Sequence, residues 1–137
     1  MNALLWVLQV LLALAFLAHG VMFLFPPVEV AQQMADVIPR WFQLFLGVAE
    51  VLAGLGLTVP GMTRIKTSLT SWAAAGLMIV MVGATALHIS RGETSSAVIT
   101  AILFVMLTFV AYVRWKVLPI SSTRTRTSKS VRASSPA

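Results

Sequence analysis

The chain has no cysteine among its 137 residues. Disulfides, thiol redox cycling, thiolate metal sites and iron–sulfur clusters are thereby excluded, and with them a dithiol-based membrane oxidoreductase. Charge is the second scarcity. Charged residues make up 10% of the chain and only four are acidic, where a soluble domain carries about 25% charge. Apolar residues reach 58% and the mean hydropathy is +0.91. So little polar surface cannot cover a water-facing globule. The length fits one domain.

Four long apolar runs are present, at residues 3–25, 41–59, 69–89 and 97–118. The first stops at Pro26-Pro27, the second at Pro60-Gly61, and the fourth just ahead of Pro119. Crossing the hydrocarbon takes about 20 residues of helix, and backbone groups there must bond internally. The short alternating segments of a membrane β-barrel are missing. The first run lacks a basic start and is too long for a signal peptide's core, so it reads as a retained span. The expectation is an all-α integral membrane four-helix bundle over residues 1–118, followed by a basic cytoplasmic tail over 119–137.

Lys and Arg set the expected orientation. Arg64, Lys66, Arg114, Lys116, Arg124, Arg126, Lys129 and Arg132 fall on the side of both termini; only Arg40 and Arg91 fall on the other. The positive-inside rule then places both termini in the cytoplasm. The tail SSTRTRTSKSVRASSPA has no acid and almost no apolar residue, which predicts disorder and attraction to anionic lipid. No domain is present to read bases, so nucleic acid is not an expected partner. In the first loop, Val30, Met34, Val37 and Ile38 share one helical face and Glu29, Gln32, Gln33 and Asp36 the other. That pattern predicts a short amphipathic helix at the interface, acting as a lid or as a surface for a lipid-like substrate or partner.

One carboxylate and two imidazoles stand inside the spans. Glu50 lies on a stripe with Leu46, Gly47, Ala53, Gly54 and Leu57; His88 lies on one with Gly76, Val80, Met81, Ala84 and Thr85. Small residues let neighbouring helices approach. His19 precedes Gly20 in the first span. At a rise of 1.5 Å per residue, His19 lies about 9 Å and Glu50 about 13 Å from the outer boundary, with His88 close to it. Side chains lean toward their own helix N-terminus, so the three are expected to converge in the outer half of the bundle, His19 meeting Glu50 directly. An intramembrane acid costs about 2.5–3.5 kcal/mol on insertion scales. A histidine partner lowers that cost, either as a structural tie between helices or as a proton-handling site. The depths of His19 and His88 differ by about 7 Å, which disfavours bis-histidine haem. Gln9 reads as an interhelical hydrogen bond, Trp6, Trp41, Trp72 and Trp115 as interfacial anchors, Arg114 and Lys116 as cytoplasmic snorkels, and Arg91 with Glu93 as a solvated pair. No metal site and no catalytic constellation is legible.

FLAHG closing the first span, LGVAEVLAGLGLTVPG, AAAGLMIVMVGATALHISRGE and an Arg at the end of the fourth span together resemble the DoxX and DoxX-like family of small membrane proteins. The resemblance runs over roughly residues 4–116. Where the family carries a lysine three residues after its glycine, this chain has Phe23, and His19 is an added polar group, so that lysine's role does not carry over. The resemblance implies a four-helix membrane bundle in a bacterial cytoplasmic (inner) membrane. Because the family takes its name from a subunit of a thiosulfate:quinone oxidoreductase, it also implies a link to quinone redox. Quinone is the cofactor this suggests, with Glu50, His19 and His88 as its site. The alternatives are a non-enzymatic anchor or assembly subunit for a partner protein, with the small-residue stripes as docking or homo-oligomer faces, and an oligomeric transporter, which the lack of a broken helix disfavours.

Overall fold

A computed structural model describes residues 2–64, 66–118 and 120. Its helices are α1 (Asn2–Leu24), α2 (Val28–Ala35), α3 (Arg40–Thr63), α4 (Leu69–Ser90) and α5 (Thr94–Tyr112), the last running on into a π turn at Val113–Val117. The tail expected to be disordered lies, Ile120 apart, outside the described residues. No strand occurs among those described.

Proline punctuates the first half. Pro26 and Pro27 stop α1, since neither can donate to its ladder. Pro39, extended at φ −66° and ψ 147°, sets the start of α3. Pro60 does not stop α3, contrary to expectation: the helix continues to Thr63 and ends where Arg64 turns left-handed at φ 55°. Membrane helices tolerate an internal proline where neighbouring elements cover the freed backbone. Pro60 and Gly61 are both buried, and a Cβ on Gly61 would stand 2.7 Å from the ring of Trp6. The short helix falls where the first loop predicted it, with Val30, Met34, Val37 and Ile38 half-buried and Glu29, Gln32, Gln33 and Asp36 exposed.

The bundle is two packed pairs, α1 on α3 and α4 on α5, joined along α3 and α4. Leu5, Leu12, Phe16, Leu57, Leu77, Met81, Leu107 and Val110 form the core. Outside it the surface is apolar: Leu4, Leu11, Leu14, Phe45, Leu52, Ile79 and Val105 are all exposed. Water would make such a surface costly and acyl chains do not. Four helices are long and apolar enough to cross a bilayer, and the chain is a multi-pass membrane protein.

Two expectations are corrected. On α4 the expected stripe is inward in part: Met81 is in the core and Val80 and Ala84 pack against it, but Gly76 faces open space and the buried face runs instead through Ser71, Ala74 and Leu77. A helix apolar all round offers several stripes of equal period, so spacing alone could not choose among them. Arg114 does not snorkel. It is 5% exposed, its Nε donating to Gln9 Oε1 and its Nη1 to Asn2 Oδ1 at 3.0 Å. Its Cζ lies 5.1 Å from the Trp6 ring centroid, a cation–π contact. Lys116 is exposed as expected.

Candidate functional site

The site begins with a close helix crossing. A Cβ on Gly20 of α1 would stand 2.8 Å from the Gly47 carbonyl oxygen of α3, and one on Gly47 would stand 3.0 Å from the Gly20 carbonyl oxygen. Only side chains of this size let the two backbones meet. The residues beside this crossing are His19 and Glu50, and their side chains join: His19 Nδ1 lies 2.6 Å from Glu50 Oε2. The pairing expected from depth and lean is therefore present.

The partners are placed asymmetrically. Glu50 is 1% exposed between the helices, whereas the His19 side chain is 45% exposed on the apolar surface. The Phe23 ring packs against the imidazole at a centroid distance of 4.4 Å. One proton between Nδ1 and Oε2 can belong to either atom. With Nε2 protonated the pair carries no net charge in either form, which lowers the cost of an acid at this depth; with Nε2 bare it carries one negative charge. With Nδ1 committed to Glu50, Nε2 has no hydrogen-bond partner among the described residues.

Further along α3 the polar lining continues. Buried Gln43 donates through Nε2 to the Phe23 carbonyl at 3.1 Å and to Met34 Sδ at 3.4 Å. Arg40 donates to the Leu24 carbonyl at 3.1 Å. Together they satisfy carbonyls that the end of α1 leaves free. Between α2 and the ends of α1 and α3 lies a cavity of about 550 Å³, lined by Leu24, Phe25, Ile38, Arg40 and Gln43 among others. Gln43 escaped the sequence reading; its position two turns before Glu50 on the glycine face was the available signal.

His88 does not join this pair. Its Nδ1 lies 2.6 Å from Glu93 Oε2, and Arg91 Nε donates to Glu93 Oε1 at 2.7 Å. The expected solvated pair is thus a triad, and it holds His88 over the α4–α5 turn. The cause is the turn itself: Gly92 adopts φ +72°, the Gly92 amide donates to the Ile89 carbonyl and the Glu93 amide to the His88 carbonyl. This is a Schellman ending, which folds Glu93 back over His88. Hydrogen bonds from Arg91 and then from His88 hold the Glu93 carboxyl below its usual value. A Gly immediately after an apolar helix was the signal that could have found it.

These features define a class: a small multi-pass helical membrane protein with an acid–imidazole pair buried at a glycine-lined helix crossing. The chain belongs to the DoxX-like family, whose model matches residues 7–111. No curated protein and no solved structure matches it.

Proposed function

We propose that the protein is an accessory component of quinone-linked redox metabolism in a bacterial cytoplasmic membrane, and that Glu50 and His19 handle the protons of the quinone headgroup. The observation that carries this reading is the 2.6 Å contact between a fully buried carboxyl and an imidazole half-exposed to the bilayer. Lipid-soluble quinones reach a site from the bilayer, and His19 Nε2 is on offer there. When a quinol is oxidised at a pair whose Nε2 is bare, its hydroxyl gives a proton to Nε2 while the Nδ1 proton passes to the Glu50 carboxylate, which takes the pair from one negative charge to none. Two electrons and two protons leave per quinol. The electrons go to an acceptor on a partner protein, and the protons leave by repeated relay through the pair. General acid–base catalysis of this kind contributes about 100-fold or more. His88, held by Glu93, is not part of this relay.

A second reading, an anchor or assembly subunit, is favoured by one observation. Trp72, Gly76, Ile79, Gly83 and Ala86 form an exposed seam along α4, with open space beyond both glycines. Alternating three- and four-residue spacing suits a partner helix. One experiment separates the readings: quinol-dependent electron flow in membranes carrying wild type or Glu50→Gln, with copurifying partners quantified in the same preparations. The redox reading expects flux to fall by about 100-fold with the partner retained. Unchanged flux removes that reading and leaves the anchor.

A further inference from the structure

Arg114 is a buried cation with no anion bonded to it among the described residues. The chain has four acidic side chains: Glu29 in α2, Asp36 just after it, Glu50 within α3 and Glu93 ahead of α5. None bonds Arg114, whose partners are Gln9, Asn2, the Leu118 carbonyl and the face of Trp6, all neutral. Neutral acceptors replace the lost hydration of a guanidinium but do not cancel its charge, and an uncompensated buried charge is strongly unfavourable. Nor is the guanidinium saturated: Nη2 is buried with no hydrogen-bond partner among the described residues.

Arg114 also lines a cavity of about 230 Å³, together with Thr67, Ser68, Ser71, Trp72, Trp115 and Ile120. Three of these carry hydroxyls and lie at the start of α4, whose dipole presents positive potential. Arg64, Lys66 and Lys116 are exposed at the same end of the bundle and extend the positive field. The Trp72 and Trp115 rings, 5.8 Å apart, flank the opening, and tryptophan settles at headgroup level. The π turn at Val113–Val117 contains Arg114, and such departures from α-geometry are frequent at functional sites.

We propose that Arg114, with Ser68, Ser71 and the first turn of α4, binds a phosphate-class anion, supplied in the membrane by the headgroup of an anionic phospholipid. Arginine matches phosphate oxygens with a planar fork of donors, and basic pockets between membrane helices take such headgroups. The site lies at the end of the bundle away from His19 and Glu50 and does not depend on their role.

The test uses the full chain reconstituted in three vesicle preparations: phosphatidylcholine alone, phosphatidylcholine with phosphatidylglycerol, and phosphatidylcholine with inorganic phosphate. Lipid retained in native mass spectrometry and the unfolding midpoint are the readouts. Wild type should keep a single phosphatidylglycerol and melt a few degrees higher with it than in phosphatidylcholine alone. Arg114→Gln and Ser68→Glu should each weaken retention about tenfold or more. Ser68 is exposed and is the N-cap of α4, so a carboxylate there is compatible with folding and supplies the missing anion from within. The tail is intact in both variants, so its attraction to lipid cancels. Protection by inorganic phosphate equal to that by phosphatidylglycerol supports the anion site and overturns the lipid as its source. Equal retention by wild type and Ser68→Glu, or retention of phosphatidylcholine as strong as that of phosphatidylglycerol, overturns the site altogether.

Discussion

At Gly20 the chain has no room for a methyl group. A Cβ there would meet the Gly47 carbonyl oxygen at 2.8 Å, Val51 Cγ2 at 2.9 Å and the Val51 amide nitrogen at 3.0 Å. Two of these three are backbone atoms, so the strain cannot be relieved by a rotamer change and α1 must move off α3. Gly20→Ala is expected to destabilise the protein by about 1–3 kcal/mol, the usual cost of overpacking. Because His19 and Glu50 flank this crossing, separation of the helices should also break their hydrogen bond. Thermal unfolding in detergent checks the first effect, and the imidazole proton resonances of His19 check the second. A melting midpoint equal to that of wild type would mean the helices do not rely on glycine here. At this scale much was legible: depth, lean and a flanking glycine sufficed to pair His19 with Glu50. They failed for Arg114 because snorkelling is the default for a long cation near a span end, and nothing in the spacing reveals that buried Gln9 and the exposed Asn2 at the start of α1 lie within its reach.

The helices show where periodicity runs out. Lengths and order of the four spans followed from hydropathy, and the amphipathic loop helix from its own polar face. The packing face of α4 followed only in part, with Val80, Met81 and Ala84 inward and Gly76 not, because a span apolar on all sides carries a weak directional signal. The α4–α5 turn departs from expectation for a different reason. His88 was assigned to the bundle by its stripe, whereas a left-handed Gly92 controls what the end of α4 touches. Gly92→Ala places a side chain at φ +72°, which costs about 1–2 kcal/mol. The triad then predicts an acid effect of definite sign. Glu93 is held below its ordinary value by Arg91 and His88. Its contribution is therefore complete above about pH 4.3, the unfolded value, and is lost as the pH falls through the lower folded value. Glu93 is solvent-facing, so the effect is small and is read as a difference. Melting midpoints followed from neutral pH to about pH 3 should fall further for wild type than for Glu93→Gln. Parallel curves would mean the triad does not contribute.

For the whole molecule the open quantity is direction across the membrane, and it decides which compartment the acid–imidazole pair serves. Eight of ten basic residues belong to the termini and the α3–α4 loop, and two to the other end. Loop charge of this asymmetry orients membrane proteins with the richer side in the cytoplasm. The absence of cysteine makes the orientation directly measurable, since a membrane-impermeant maleimide finds no native target. Thr94→Cys, at the α4–α5 turn, should react in intact cells, and Ser68→Cys, at the α3–α4 turn, only after permeabilisation. Both positions are exposed, so a failure to label reports the compartment and not burial. Labelling in that pattern would put His19 and Glu50 nearer the exoplasmic face, where, on the proposed function, protons released from a quinol would leave the cell. It would put Arg114 at the cytoplasmic leaflet, where anionic lipid creates the negative surface potential. The reverse labelling pattern would turn both around at once: the proton pair would discharge inward, and the arginine pocket would face the leaflet poorer in anionic headgroups.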